Sequence, residues 1–304
     1  MIDVGILFAL ISLVGWGVGD FLIQKSTRSI GVWQTSVYLS LFGTLLLAPF
    51  AWMFAPPISR SLAGLFVIGA LVMTIGVWIN FTSLKKGKLS VIQPVLGLEL
   101  VFVALIGFFF LSEQLSTQQY VAVAVITLAT ILVSYTHSGE RFSLENGVLW
   151  GLCGAVFIAF MDVIKGGLSQ LTHPLFALFV LNALWCFLSL LVVLFRGEFS
   201  SLRAGVWAHP RLVFWQSALD NVAWIAFGFA VLYIPITVAL AISENFILLS
   251  VILGIVLNKE RLRWWQVIGV ALSMVGLAAL LWRVASEEWA KERSKVLHYF
   301  LLVF

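Results

Sequence analysis

LSVIQPVLGLELVFVALIGFFFLSE, residues Leu89–Glu113, is an apolar run long enough to cross a bilayer, with one carboxylate inside it, Glu99, and a second, Glu113, closing it. It recurs 147 residues later as ITVALAISENFILLSVILGIVLNKE, Ile236–Glu260, again with an internal acid, Glu244, and a terminal one, Glu260. The pairs Val91/Val238, Gly107/Gly254, Glu113/Glu260, Leu115/Leu262, Gln119/Gln266, Val123/Val270 and Ala124/Ala271 fall in one register without a gap. Identities in an apolar alphabet carry modest weight. The shared oddity, an acid in the middle of a greasy span, carries more.

The duplication extends outward from there. At a spacing of 142, Gly5/Gly147, Leu7/Leu149, Leu10/Leu152, Val14/Val156, Asp20/Asp162, Leu39/Leu181 and Leu46/Leu188 match, and the longer connection Arg196–Pro210 absorbs the shift to 147. A helix needs about 20 mostly apolar residues to cross the hydrocarbon core. That ruler gives ten spans: Val4–Gln24, Gly31–Phe54, Ser61–Leu84, Ser90–Leu111, Thr117–Tyr135, Asn146–Leu168, Pro174–Phe195, Arg211–Tyr233, Thr237–Leu257 and Trp264–Trp282. The expected fold is an all-α membrane protein of ten transmembrane helices in two inverted five-helix repeats. Residues 1–142 form the first repeat, 143–284 the second, and 285–304 a C-terminal tail that lies at the interface or is an expression remnant. An odd number of spans per repeat forces the second copy upside down, a plan that places substrate sites near the midplane.

Composition excludes other classes. Charged residues make up 11% of the 304-residue chain and hydrophobic ones 62%, with a mean hydropathy of +1.07, whereas a soluble domain carries about 25% charged residues. A multi-pass protein of the cell (inner) membrane is expected, with no separate soluble domain and no cleaved signal peptide. The net charge of +4 resides in short basic clusters between apolar runs, as in juxtamembrane loops, so no nucleic-acid partner follows from it. Cys153 and Cys186 lie inside apolar runs, where small polarizable side chains pack well. The four histidines, His137, His173, His209 and His298, fall in loops or the tail without ligand spacing. Neither a metal nor a cofactor is expected.

An acid at the bilayer centre is expensive, roughly 2.5–3.5 kcal/mol on insertion scales, and by default marks function. Glu99 lies about 14 Å along its helix, at ~1.5 Å per residue, with Glu244 and Asp220 at similar depth. Lys165, close to the end of the sixth span, is the nearest base, so these acids are expected to lack a built-in basic partner. Such a group either takes up a proton for part of a cycle or awaits a cationic group on a substrate. Ser12, Trp16, Asp20 and Gln24 recur every four residues on the first helix, and Gln216, Asp220 and Trp224 do so on the eighth. Each stripe sets an indole one turn from an acid, the combination that holds an ammonium group. The candidate site is therefore Trp16, Asp20, Glu99, Asp220, Trp224 and Glu244, with Trp78, Gln93, Asn245 and Asn80 as further candidates. Asp162 is the repeat mate of Asp20, and both are expected to approach a membrane face, where they could act as gate or capping residues. Gly15 and Gly19 are expected to admit a neighbouring helix. Pro94 and Pro235 are expected to end or kink helices, and Glu113 and Glu260 to anchor the fold.

Gly17-Val18-Gly19-Asp20 also matches the glycine-x-glycine-aspartate signature of intramembrane aspartyl proteases. That family's tyrosine-aspartate partner on a preceding span and its later proline-alanine-leucine motif have no counterpart here. No nucleotide-binding loop or zinc-binding helix motif accompanies the spans, and an enzyme is not expected.

Ten spans in two halves, Gly15-Trp16-Gly17 in the first span, Ser90 to Pro94 at the start of the fourth, Ser112-Glu113-Gln114-Leu115 followed by Gln119, and Lys259-Glu260-Arg261-Leu262 followed by Gln266 and Gly269 resemble the EamA-type drug/metabolite transporters. The resemblance implies a secondary transporter, often an exporter of amino acids or other small metabolites, working by alternating access around a central cavity. Where the family commonly has a proline in the middle of the fourth span, this chain has Glu99. A small-molecule substrate, membrane lipid and protons as coupling ion are the expected partners of a monomer or weak dimer. Amino acids are what the resemblance implies, whereas the residues themselves point to cationic amines or quaternary ammonium compounds; a facilitator or channel for another small solute is the alternative. Lys and Arg number twelve in the odd-numbered loops against six elsewhere. The positive-inside rule then puts both termini outside, whereas the resemblance implies that both are cytoplasmic.

Overall fold

The computed structural model describes residues 4–102, 105, 117–138, 141–234, 236–276 and 279. Its helices are α1 (Val4–Ser29), α2 (Val32–Ala51, continued by a 3-10 turn Trp52–Phe54), α3 (Arg60–Lys86), α4 (Leu89–Leu96), α5 (Thr117–Ser134), α6 (Val148–Leu171), α7 (Pro174–Phe195), α8 (Phe199–Ala208), α9 (Pro210–Tyr233), α10 (Ile236–Ser243), α11 (Phe246–Leu257) and α12 (Trp264–Gly276). Among the described residues the regular structure is helical apart from one feature that hydropathy did not announce. Tyr135–Ser138 (β1) and Arg141–Leu144 (β2) form an antiparallel ribbon, with Tyr135 opposite Leu144 and Ser138 opposite Arg141. The connection Arg196–Pro210 is likewise not a bare loop but holds α8. Glu113, Pro235 and the tail from Ala285 lie outside the described residues.

Among the described residues five segments are long and apolar enough to cross a membrane: α1, α2 with its 3-10 turn, α3, α6 and α7. The 24-residue α9 matches them in length, and 89–102, α11 and α12 are shorter apolar helices. Local chemistry sets their ends. The Ser59 hydroxyl accepts the Leu62 N–H at 3.2 Å at the start of α3, satisfying one of the free donors of a first turn. Lys85 and Lys86 occupy its last turn, where cations complement the helix dipole. Pro174 opens α7, where its missing N–H costs nothing.

Leu7, Val14, Leu45, Ile68, Phe187 and Ile252 face outward and are exposed, while Ser12, Gln24, Ser40, Gln93, Gln216, Asn221 and Ser250 are buried. Apolar outside and polar inside suits a lipid solvent, where each polar group needs a partner within the protein. Ser12 accordingly donates to the Ala223 carbonyl at 2.9 Å, Ser243 to Ala9 at 3.2 Å and Ser250 to Gly17 at 3.1 Å. Interhelical bonds of this kind contribute about 0.6 kcal/mol each on average in a membrane. Gly15 makes the tightest of these approaches possible: a Cβ there would lie 2.8 Å from Ala223 Cβ and 3.0 Å from the Leu219 carbonyl oxygen.

The fourth and ninth apolar runs, expected as single spans, are each broken. After α4 the ladder slips at Gly97 and Leu98. Gly97 N–H still reaches Gln93, four residues back, but Leu98 reaches Val95 and Leu100 reaches Gly97, three back. The second run repeats this at Glu244 and Asn245, where Glu244 reaches Leu240, Asn245 reaches Ile242 and Ile247 reaches Glu244. The three bonds correspond one to one at the 147-residue spacing of the sequence repeat. The first break lies three residues beyond Pro94, and the second has no proline among the residues that slip.

The most extensive packing joins α1 to α9, α2 to α7 and α3 to α6, with α11 seated against α1 and α4. Each of the first three pairs takes one helix from either side of residue 142. One further contact ties these parts together. The Glu260 carboxylate accepts the backbone N–H groups of Leu89 and Ser90, both at 2.9 Å, and the Ser90 hydroxyl at 2.6 Å. It thereby caps α4 from a position 171 residues away in sequence. Gly254 leaves room for it, since a Cβ there would lie 2.8 Å from a Glu260 oxygen.

Candidate functional site

Helical spacing brings the candidates to one place. Trp16 and Asp20 of α1, Asp220 and Trp224 of α9, Glu99 just after the first break and Glu244 at the second all line a buried central cavity of about 80 Å³. The periodicity of the two stripes is what aims them there. Ser12 and Gln24 complete the α1 stripe and are fully buried, with Gln24 donating to the Gly87 carbonyl at 3.1 Å.

The breaks serve the acids directly. Glu99 follows the first turn and Glu244 lies in the second, and with Asp162 of α6 each contributes a carboxylate oxygen to a trio lying within 4.8 Å of one another. Glu99 and Glu244 thus face each other within one cluster. On the other side of the cavity Asp220 and Trp224, one turn apart on α9, line the wall together. The Trp16 and Trp224 rings meet edge to face at 4.8 Å, and Phe246 packs on Trp16 at 5.8 Å. Asn80 Oδ1, Trp185 Nε1 and Glu244 Oε2 are buried in residues of the cavity wall, and no group of the described residues satisfies them. Buried polar atoms of this sort are normally bonded. A trio of carboxylate oxygens has the chemistry to hold a hard metal cation, and the indoles beside it favour an organic one.

Not every candidate reaches the cavity. Gln93 stands behind it and donates to Asp20 at 2.7 Å, steadying that carboxylate. Trp78 is one residue on from the wall residue Val77 and is therefore turned about 100° away; it stacks on Trp33 at 6.1 Å and meets Trp150 edge-on at 5.5 Å. Asn245 is exposed, turned outward by the same step from Glu244, and its amide donates to the Ile242 carbonyl at 3.3 Å beside the break. Asn80, in contrast, does line the cavity.

Two residues were misplaced by reading depth from sequence. Asp162 is no peripheral gate: it is 3% exposed and belongs to the carboxylate trio. Lys165, one turn further on, is 4% exposed and lies with its Nζ 3.2 Å from the centre of the Trp224 ring. The acids therefore do have a basic neighbour. Both errors share a cause, because distance from a span end does not report which side of α6 packs into the bundle, and these two residues lie on the packed side. The i, i+3 spacing of Asp162 and Lys165 was the available signal, since it puts both on one helix face.

A polytopic helical membrane protein with broken helices and a charged chamber at its centre has the build of a secondary transporter. The sequence profile of the EamA-like transporter family matches the chain over residues 3–135 and 145–282, and the chain belongs to that family. It is similar to an uncharacterized transporter, YxxF, of Bacillus subtilis (strain 168), with 23% identity over 213 residues, or 67% of this chain and 65% of that protein. An uncharacterized transporter of Archaeoglobus fulgidus is 21% identical over 286 residues, 91% of this chain and 97% of that one. A solved crystal structure superimposes with a TM-score of 0.62 at 15% identity, over 93% of this chain and 98% of the other, which is a likeness of fold. The protein is thus a multi-pass membrane protein of a transporter family rather than an enzyme.

Proposed function

We propose that this protein moves a small metabolite bearing a positively charged nitrogen, a cationic amine or an amino acid, across the cell membrane by alternating access, exporting it in exchange for protons. The observation that carries the reading is the convergence of five acids, Asp20, Glu99, Asp162, Asp220 and Glu244, on one chamber walled by Trp16 and Trp224. Carboxylates supply the charge an ammonium group needs when it leaves water, and indole faces supply a surface it is attracted to. Proton exchange is supported by Glu99 and Glu244. Carboxyl groups brought this close hold a shared proton more readily than two charges, and a cation arriving among them displaces it. Export is the direction the family resemblance implies.

The ten-span, inverted-repeat plan, with halves 1–142 and 143–284, is supported by three features. The two breaks fall at one repeat register. The family profile matches two successive stretches. Exchanging the halves turns the α1–α9 pair into the α3–α6 pair and leaves α2–α7 in place. Rocking of such halves about the chamber opens it to one side at a time.

The test is exchange in proteoliposomes against a panel of amino acids, amines, sugars and nucleosides, with and without a pH gradient. Exchange of nitrogen cations, faster with the gradient imposed, is the expected result. Exchange confined to neutral sugars or nucleosides contradicts the proposal.

A further inference from the structure

Lys165 has no part in the reading above, yet it is the buried base beside the cavity's acids. Its Nζ lies over the Trp224 ring at 3.2 Å, with Asp220 one turn before that tryptophan on α9 and Asp162 one turn back on its own helix. No carboxylate of a described residue comes within 4.0 Å of the ammonium to form a direct ion pair. It is seated on an aromatic face amid acids, which is the environment that the proposed substrate nitrogen requires. The lysine is itself part of the wall of the cavity of about 80 Å³ that the acids line, so its ammonium and that of a guest would share one small space.

We propose that Lys165 is a tethered competitor, whose side-chain ammonium occupies the Trp224 seat that a substrate ammonium takes, so that the two exclude each other. The inference rests on the cationic-substrate reading. It gives the chamber a resident cation when substrate is absent, which keeps the acids Asp162 and Asp220 from facing a dry cavity without a counter-charge. It also makes Lys165 a determinant of specificity: a ligand must bring a cation that takes the seat better than the lysine does. The groups facing this seat are Asp162 of the same helix, Asp220 and Trp224 of α9, Asp20 and Trp16 of α1, and Glu99 and Glu244 at the breaks.

The probe is n-butylammonium, the lysine side chain cut free, titrated calorimetrically into purified full-length protein. Removing a competitor that holds the seat nine-tenths of the time tightens apparent binding about tenfold. Lys165→Ala is therefore expected to bind the probe about tenfold more tightly than wild type, while Lys165→Arg, which retains a tethered cation, stays near wild type. Lys165→Gln serves as a second neutral variant if the alanine protein is not monodisperse. Long-range charge alone would also raise affinity, so a direct readout accompanies the titration. In protein labelled with ¹³C at the lysine ε-carbon, the Lys165 resonance, assigned by its loss in Lys165→Arg, is displaced by the indole ring current. It is expected to move to the position of the exposed lysines as n-butylammonium saturates the wild type. Binding with the resonance unmoved, or binding that Lys165→Ala and Lys165→Gln leave unchanged or weaken, overturns the tethered-competitor inference alone. Absence of binding to any of these proteins overturns the cationic-substrate reading, and the inference with it.

Discussion

Glu99 and Glu244 come from opposite halves of the chain and meet at the two helix breaks, with carboxylate oxygens inside the 4.8 Å cluster they share with Asp162. An acid at such a depth is held there at a cost of a few kcal/mol. Replacing either by an isosteric amide removes the charge and keeps the shape. Glu99→Gln and Glu244→Gln are each expected to reduce transport in proteoliposomes to the protein-free background while eluting as wild type on size exclusion. Wild-type rates in both would take the pair out of the mechanism.

Glu260 is expected to act on stability and not on substrate. Its carboxylate caps α4 through Leu89 and Ser90, and loss of a helix N-cap costs about 0.5–2 kcal/mol. Glu260→Ala is expected to lower the thermal midpoint in detergent, with n-butylammonium affinity of the folded fraction preserved. An unchanged midpoint together with lost binding would reverse that assignment.

Gly15 sets the separation of α1 and α9. A Cβ there meets Ala223 at 2.8 Å, and overpacking of this kind costs about 1–3 kcal/mol. Gly15→Val is expected to destabilise markedly and Gly15→Ala less, as read by thermal unfolding. Equal midpoints for wild type and valine variant would show that the helices can part freely.

How much of this was legible beforehand depends on what kind of signal each residue sends. Span positions follow from summed hydropathy, and the Asp20 and Asp220 stripes follow from helical period, so both emerge from sequence. The breaks at Gly97 and Glu244 send no such signal, because apolar helix continues on both sides and hydropathy is blind to a ladder slipping from four residues to three. Pro94 marked the region of the first but not its position. Lys165 reads as a residue that snorkels from a span end; only the packing around α6 shows that it is buried. Trp78 and Asn245 were drawn in by residue type alone, and a single 100° step carries each off the cavity.

Outside the membrane-spanning segments, Glu198 ties α7 and α8 to α2. Arg196 donates to it at 2.7 Å and Gln34 at 2.9 Å, and these bonds, that from Arg196 foremost, hold its carboxyl below the usual 4.5. A group depressed in the folded state stabilises fully above its unfolded value and loses that contribution as pH falls through the folded one. The thermal midpoint of wild type is therefore expected to drop more steeply below about pH 4.5 than that of Glu198→Gln. Parallel curves would show that the carboxylate contributes nothing.

The central claim is that the buried acids hold either a proton or a cationic guest. Tetramethylammonium carries a fixed charge and has no proton of its own to lose, so any proton freed on its binding comes from the protein. Proton release into weakly buffered solution, measured as purified protein is titrated with tetramethylammonium chloride, is the direct test. Release that saturates with binding in wild type and is absent from the Glu99→Gln, Glu244→Gln double variant is the predicted result. Binding without release, or equal release from both proteins, would contradict the account.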